Sequence, residues 1–237
     1  MLKYMQKILS IIMPAYNEEK TIAQIVEKIM AVNLFNISKE LIIVDDGSTD
    51  NTSNIVKNLQ SRFNNISIFK LEKNSGKGAA VRVGIEKSKG HVIIIQDADL
   101  EYEPKDYAAC IAPILEKRAR VVYGSRLLPA KRKTGRFDFL LGGMMVTFVT
   151  NILYLAWLTD EPTCYKTFDA DLIKSTPFKA DGFDWEPEIT AKILKKGNKI
   201  VEVPINYYPR KKSEGKKINW RDGIKAIWTL FKYRFVN

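Results

Sequence analysis

Residues 8–19 read Ile8-Leu9-Ser10-Ile11-Ile12-Met13-Pro14-Ala15-Tyr16-Asn17-Glu18-Glu19, a short and mostly apolar run that ends at a proline and a polar loop. An apolar run of this length, bounded by turn residues and followed by an amphipathic stretch, predicts a buried β-strand that leads into a helix. The pattern recurs along the first 125 residues. The sequence therefore predicts an α/β fold with a mostly parallel sheet flanked by helices.

Five strands and four helices follow from this pattern. The predicted strands are Ile8–Met13, Leu41–Val44, Ile66–Leu71, Val92–Ile95 and Val121–Tyr123. The predicted helices span about residues 19–32, 52–62, 77–88 and 104–117. Ser48 and Asp50 supply capping side chains before the second helix, and Pro104 suits the first turn of the fourth. Because neither a repeat nor a flexible linker interrupts the chain, we expect a single domain over residues 1–237.

A polar loop follows the carboxyl end of each predicted strand. In an open parallel sheet these ends line one crevice, and ligands bind there. The loops are Pro14–Glu19, Asp45–Ser48, Asn74–Gly78, Gln96–Asp99 and Gly124–Arg126. Together they predict one binding site at one edge of the sheet.

The loop after the fourth strand contains Asp97-Ala98-Asp99. Two carboxylates at a strand end suit Mg²⁺, which takes one or two carboxylates and completes its coordination with phosphate oxygens and water. Such a cation would neutralise charge on a departing diphosphate. Glu101 is a candidate third oxygen ligand. The alternative is a strand-end turn with solvated acids.

The second and third loops have features suited to a nucleotide. Adjacent carboxylates such as Asp45 and Asp46 repel each other unless they are solvated or bound, so one of them can accept hydrogen bonds from a base or ribose. Helix capping is the alternative. The stretch Asn74–Ala80 offers flexible backbone and the cation Lys77 to a phosphate. It is not a P-loop, because the first glycine of that motif is replaced by Leu71.

The chain is strongly basic, with a formal net charge of +11. This charge implies nucleic acid, nucleotide phosphates or anionic lipid headgroups as a partner. The cations cluster at Lys131–Arg136 and Arg210–Lys217, for which solvated loops are the alternative. Cys110 and Cys164 are too few for a disulfide framework. His91 is the only histidine, which excludes most histidine-dependent mechanisms.

Two segments in the second half are candidates for contact with a membrane. Phe139–Leu158 is uncharged and long enough to cross a bilayer, but a crossing would separate the basic Arg210 segment from the acidic loops. An interfacial helix is therefore predicted, with an ordinary buried helix as the alternative. Ile224–Phe235 mixes aromatic residues with cations, as at a headgroup boundary. The start of the chain lacks a signal-peptide pattern, so we expect a cytoplasmic location.

Together, the five loops resemble those of the family 2 glycosyltransferases with a GT-A fold, specifically the dolichyl- and polyprenyl-phosphate mannose or glucose synthase branch. The resemblance covers essentially the whole chain, from Pro14 to Phe235. It implies a Rossmann-like nucleotide-sugar half over residues 1–126 and an acceptor- and membrane-facing half over residues 127–237, with C-terminal amphipathic interfacial helices. The implied reaction moves a sugar, with inversion, from a UDP- or GDP-sugar to dolichyl or undecaprenyl phosphate, with Mg²⁺ or Mn²⁺ as cofactor.

The residue types and the resemblance together give a set of expected site residues. Those expected to bind the nucleotide sugar are Pro14, Ala15, Tyr16, Glu18, Asp46, Lys77, Asp97, Ala98, Asp99, Arg126, Arg210 and Lys216. The expected metal ligands are Asp97, Asp99 and Glu101. The expected catalytic residues are Asp97, Asp99, Arg126, Asp160 and Glu188. Of these, Asp160 and Glu188 are the candidate general bases if the acceptor is a hydroxyl group.

The nature of the acceptor decides how much catalytic machinery is needed. A lipid monophosphate is already an anion, so the enzyme mainly has to hold two negative groups together, which explains why cations crowd the second half. A soluble or polysaccharide hydroxyl acceptor is the main alternative, and a nucleotide-sugar-binding protein without catalysis is another. Nucleic-acid binding is a remote one, because the acidic loops repel phosphate. We expect a peripheral protein at the cytoplasmic face of a membrane, alone or recruited by a separate membrane subunit.

Overall fold

The structure, a computed structural model, describes residues 7–128, 137–210 and 220–236. Within the second range, side chains are described from residue 142 onward. The basic cluster Lys131–Arg136 and the candidate residue Lys216 lie outside the described residues.

The described residues form seven strands, eight α-helices and a short 3-10 helix, Pro104–Asp106, directly before the fourth α-helix. The strands are β1 Lys7–Ala15, β2 Ile37–Asp45, β3 Ile66–Lys70, β4 Val92–Ile95, β5 Val121–Ser125, β6 Lys166–Asp169 and β7 Ile200–Pro204. The helices are α1 Ile22–Ala31, α2 Thr52–Arg62, α3 Lys77–Lys87, α4 Tyr107–Leu115, α5 Phe137–Tyr154, α6 Ala170–Lys174, α7 Trp185–Lys195 and α8 Trp220–Phe235. All five predicted strands and all four predicted helices are confirmed.

The strands form one seven-stranded sheet in the order β3-β2-β1-β4-β6-β5-β7. Strand β6 runs antiparallel to both of its neighbours, and every other pair is parallel. The predicted mostly parallel α/β sheet is therefore confirmed. The sheet joins strands from both sides of residue 126, because β6 lies between β4 and β5.

Strand β1 lies in the interior of the sheet, between β2 and β4, and is buried on both faces. Leu9, Ile11, Ile12 and Met13 are fully buried, as expected for a parallel strand covered by helices on both sides. Helix α3 packs directly on this strand, and Gly84 permits the close approach. The carboxyl ends of β1, β2 and β4 are thereby fixed at one edge of the sheet.

Helices α5 and α8 pack together beside α7. Their predicted position at a membrane interface stays a prediction. Val146, Leu230 and Tyr233 are buried in a small apolar cluster that these helices share. Their outer faces expose large apolar side chains, which are Met144, Met145, Phe148, Ile152, Trp220, Ile224, Trp228, Phe231 and Phe235. Among the described residues, no helix has both the length and the apolar character needed to cross a bilayer.

Substituting Gly84 by alanine should destabilise the fold. An added Cβ would lie 2.3 Å from the Cγ2 atom of Ile12, and such overpacking costs about 1–3 kcal/mol. This exceeds the helix propensity of roughly 1 kcal/mol that alanine gains over glycine. Urea or thermal unfolding measures the effect. The matched control is Gly223→Ala in α8, where a Cβ has no neighbour within 4 Å and stability should rise. Equal responses of the two variants would contradict the packing of α3 on β1.

Candidate active site

An acidic cluster with a central arginine lies at the carboxyl edge of the sheet. Arg210 donates from Nη2 to Asp99 Oδ2 at 2.6 Å, and its backbone N–H donates to Glu101 Oε1 at 2.9 Å. Its Nη1 atom lies 3.6 Å from Glu18 Oε2. Three of the expected acidic residues, from the first and fourth loops, thus converge on one expected cation.

Burial and neighbouring charges together change the pKa of Asp99. Burial is the larger cause and the Asp97 and Glu101 carboxylates add to it, so that the pKa of Asp99 is raised to about 7 although Arg210 opposes the shift. The carboxylates of Asp97, Asp99 and Glu101 therefore repel one another at this site. A divalent cation is the kind of ligand that relieves such repulsion.

Lys77 places a second cation at the same edge. It is the first residue of α3, and its Nζ atom lies 2.8 Å from Asp97 Oδ1 and 2.9 Å from Glu186 Oε1. Burial on its own lowers the pKa of Lys77, but the two carboxylates more than compensate and hold that pKa well above its ordinary value. Lys77 is therefore a permanent cation that fixes the position of Asp97.

Asp46 shapes the loop that precedes Lys77. Its Oδ1 and Oδ2 atoms accept hydrogen bonds from the backbone N–H groups of Ser75 at 2.7 Å and Gly76 at 2.8 Å. Gly76 has φ +98°, a conformation that side chains rarely allow. The carboxylate thus holds the third loop in place, and its expected contact with a nucleotide stays a prediction.

The first loop is tied to the second by hydrogen bonds. The Asn17 backbone N–H donates to Ser48 Oγ at 3.0 Å, and the Glu18 backbone N–H donates to Thr52 Oγ1 at 2.9 Å. Pro14 and Ala15 are the last residues of β1 and lead directly into this loop. The expected nucleotide-binding residues Pro14, Ala15, Tyr16, Glu18 and Asp46 therefore belong to two joined loops.

Arg126 and Asp160 form a buried bidentate ion pair. Arg126 donates from Nε to Asp160 Oδ2 and from Nη2 to Asp160 Oδ1, each at 2.7 Å. Its backbone N–H also donates to Asp160 Oδ2 at 2.8 Å. Burial would raise the pKa of Asp160, but Arg126 holds it below its ordinary value. Asp160 is therefore an anion that orients Arg126, and its expected role as a general base stays a prediction.

The carboxylate of Glu188, a residue of α7, is held by hydrogen bonds and an ion pair. Its carboxylate accepts hydrogen bonds from the backbone N–H groups of Lys179 at 2.9 Å and Ala180 at 2.8 Å, and from Lys192 Nζ at 2.6 Å. Burial raises its pKa, but these donors outweigh burial and lower it. These contacts give Glu188 a structural role, and its expected role as a general base stays a prediction.

The chemistry of the residues present fits a divalent cation. Asp97 and Asp99 supply hard oxygen ligands at the carboxyl edge of the sheet, beside Lys77 and Arg210, which suits Mg²⁺ or Mn²⁺. The Glu101 carboxylate already accepts hydrogen bonds from Tyr207 Oη at 2.7 Å and from the Arg210 backbone. Within the described ranges, no three acidic, cysteine or histidine side chains come close enough together to form a metal site. Asp99 and Asp97 are engaged in the same way, by Arg210 and Lys77. Asp97, Asp99 and Glu101 therefore all stay predicted ligands, and Glu101 also holds the Arg210 segment.

Comparison with known proteins decides the family. A sequence model described as Glycosyl transferase family 2 matches residues 10–157. A UDP-N-acetylglucosamine–dolichyl-phosphate N-acetylglucosaminyltransferase of Methanococcus voltae is 32% identical, over 94% of this chain and 95% of the relative.

The chain belongs to glycosyl transferase family 2. A dolichyl-phosphate beta-glucosyltransferase of Trichomonas vaginalis is 28% identical, over 94% of this family 2 chain and 72% of that relative. Among solved structures, glucosyl-3-phosphoglycerate synthase of Mycobacterium tuberculosis, in complex with Mn²⁺, UDP and glucosyl-3-phosphoglycerate, superposes with a TM-score of 0.74. That likeness covers 98% of this chain and 81% of the other at 19% identity, and it confirms the GT-A fold.

Two residues that complete the site of this family 2 enzyme were not predicted from the sequence. Glu186 pairs with Lys77, and Tyr207 donates to Glu101 while its ring centroid lies 5.2 Å from the Arg126 guanidinium carbon. A signal existed for Glu186, because it lies two residues before Glu188, one of the expected catalytic residues. Tyr207 carried no comparable signal, because its place depends on β7, which the apolar pattern does not reveal.

Removing the charge of Asp160 should destabilise the enzyme in a pH-dependent way. Asp160→Asn leaves Arg126 buried beside a neutral amide, which costs about 3–5 kcal/mol at neutral pH. Because the folded-state pKa of Asp160 is lowered, the ion pair contributes above the unfolded pKa of about 4 and is lost as pH falls through the folded value. The difference between wild type and variant should therefore shrink in acid. Urea unfolding across this pH range measures it.

The matched control for Asp160→Asn is Glu116→Gln, which removes an exposed ion pair with Arg118. It should change stability little at any pH, because exposed pairs are screened by solvent. A constant difference between wild type and Asp160→Asn from neutral to acid pH would contradict the pairing described for Arg126.

Proposed function

We propose that this enzyme transfers a sugar from a UDP-sugar to the phosphate of a polyprenyl lipid at a membrane surface. The observation that carries this proposal is the carboxyl edge of the sheet, where Asp97 and Asp99 lie beside the cations Lys77 and Arg210. Such an edge is suited to two phosphate groups and a divalent cation. The names of the relatives, which specify dolichyl-phosphate acceptors, support the choice of lipid.

The donor half of the proposal assigns a task to each charged group. When bound, a divalent cation at Asp97 and Asp99 would neutralise charge on the departing diphosphate. Lys77 fixes Asp97, so that this carboxylate is already oriented before the donor arrives. Arg210 brings a guanidinium group to the same edge, in a position to meet phosphate oxygens. Asp46 holds the Ser75–Gly76 turn open toward the edge.

The acceptor half of the proposal follows from the state of the carboxylates. A hydroxyl acceptor needs a general base to remove its proton, whereas a phosphate monoester is an anion near neutral pH. Both candidate bases, Asp160 and Glu188, have lowered pKa values and carboxylates already engaged by cations or backbone N–H groups. This arrangement supports an acceptor that brings its own negative charge. It counts against the soluble or polysaccharide hydroxyl alternative.

The choice of nucleotide and location rests on two further observations. The relative that matches over nearly the full length of both chains is named for UDP-N-acetylglucosamine, so we assign UDP over GDP and N-acetylglucosamine as the first sugar to test. The exposed apolar faces of α5 and α8 suit an enzyme that lies on a bilayer, and we place it peripherally at the cytoplasmic face. Recruitment by a separate membrane subunit stays a prediction.

Asp99→Asn should abolish transfer without unfolding the enzyme. The substitution removes one expected cation ligand and leaves side-chain volume unchanged, so turnover should fall at least about 100-fold. The measurement is transfer of radiolabelled N-acetylglucosamine from its UDP donor into the organic phase that holds the lipid. Asp171→Asn on the exposed surface of α6 is the matched control and should keep full activity. Unchanged turnover in Asp99→Asn would refute the proposed donor site.

The phosphate of the acceptor should be essential. Undecaprenyl phosphate and undecaprenol have the same hydrocarbon chain, but only the phosphate supplies an anionic oxygen. The alcohol would need a general base, and both candidate bases, Asp160 and Glu188, are already held by cations or backbone N–H groups. We therefore expect product from the phosphate and none from the alcohol, in an assay that screens UDP- and GDP-sugars in parallel. Product from the alcohol, or from a soluble sugar acceptor alone, would show that a general base operates and would overturn the lipid-phosphate assignment.

A further inference from the structure

A polar cavity lies away from the acidic cluster, between α8, α7 and the segment of residues 179–184. Its volume is about 260 Å³, enough for a phosphate group with its hydration. The charged side chains that line it are Lys179, Asp184, Glu188, Lys225 and Lys232, and Trp228 and Tyr233 contribute aromatic rings. None of these residues has a task in the proposed donor site.

The charge balance of this cavity favours an anion. The Glu188 carboxylate is already neutralised by Lys192 and two backbone N–H groups, and Asp184 Oδ1 lies 2.9 Å from Lys225 Nζ. Lys179 and Lys232 add further positive charge to the walls. An anionic group that enters here therefore meets lysines whose charge the local carboxylates do not cancel.

The surface beside the cavity is apolar and lies on one face of α8. Ile224, Trp228 and Phe231 are separated by four and three residues, so their side chains follow one another along the helix. Trp228 is 67% exposed and Ile224 is 59% exposed, although α8 already buries Leu230 and Tyr233 on its inner face. A helix with a second, outward apolar stripe and flanking lysines has the composition of a segment that lies in a bilayer interface.

We propose that this cavity binds the phosphate of an anionic phospholipid headgroup while the outward stripe of α8 enters the bilayer. A bilayer is the source of phosphate that also explains the stripe, because a dissolved phosphate ion makes no use of exposed tryptophan and isoleucine side chains. The bound lipid is a ligand that the reaction does not consume. The site therefore goes beyond the proposed function, with which it shares the membrane-facing stripe of α8, and it does not depend on sugar transfer.

The same segment that walls the cavity also packs against the donor site. The Ala79 backbone N–H donates to the carbonyl oxygen of Asp181 at 3.1 Å, and a Cβ on Gly78 would lie 2.3 Å from the carbonyl oxygen of Ala180. Both glycine and alanine follow Lys77 at the start of α3. The segment of residues 179–184 thus contacts both the cavity and the start of α3, the helix whose first residue, Lys77, holds Asp97.

The test is binding to lipid vesicles by a variant that lacks two of the cavity lysines. Lys179→Gln with Lys232→Gln should weaken binding to vesicles of phosphatidylglycerol and phosphatidylcholine by roughly tenfold or more, since each lysine near an anionic bilayer contributes about fivefold. The matched control is Lys57→Gln with Lys89→Gln, two exposed lysines outside this surface, which removes the same net charge. The control should bind like wild type, and thermal unfolding verifies that both variants are folded.

The outcomes separate this proposal from its rivals. An equal loss in the control pair would mean general attraction of a basic protein and would overturn the site. Wild type could also bind pure phosphatidylcholine vesicles as tightly as vesicles that contain phosphatidylglycerol, with the lysine pair needed only for binding inorganic phosphate. That result would assign the cavity to a free ion and would overturn the proposed lipid site. Sugar transfer to detergent-dispersed undecaprenyl phosphate should be retained by the cavity variant. If wild type itself transfers no sugar, the proposed function fails while the vesicle result still decides this site.

Discussion

Repulsion among carboxylates at the end of β4 is the constraint on which the rest of the site depends. Asp97, Asp99 and Glu101 crowd one strand end, and the fold brings cations to them from distant parts of the sequence. Lys77 comes from the start of α3, and Arg210 from the segment that follows β7. The parallel sheet makes this arrangement available, because it gathers loops that are far apart in sequence at one edge.

The two halves of the sequence meet at this edge through different kinds of contact. The first half contributes rigid backbone, since Asp46 fixes the Ser75–Gly76 turn and the first two loops are joined by hydrogen bonds. The second half contributes paired charges, with Asp160 orienting Arg126 and Glu186 sharing Lys77 with Asp97. Rigid loops suit the binding of a nucleotide, and paired charges suit the binding of phosphate groups. This division therefore suits an enzyme that binds a nucleotide sugar and an acceptor phosphate at the same edge.

Most of the sheet could be predicted from the sequence because its inner strands are continuous apolar runs. Strand β6 could not, because its first two residues, Lys166 and Thr167, are polar and yet fully buried. Strand β7 is only partly buried and therefore shows no clear apolar pattern. The acidic and basic members of the site were predictable from their loops, whereas their pairing was not. Asp160 pairs with Arg126, and Glu188 accepts from backbone N–H groups, only because the tertiary fold brings these segments together.

The position of β6 has a consequence for how the chain folds. Strands β4 and β5 are consecutive in sequence but are held apart by β6, which begins only at Lys166. The sheet therefore cannot be completed when β5 has just been synthesised. The edge of β4 that pairs with β6 has no partner until residue 169 has been made. Pairings of such high sequence separation form slowly. The first four strands are thus expected to assemble early, with an open edge that invites association with other chains until β6 fills it.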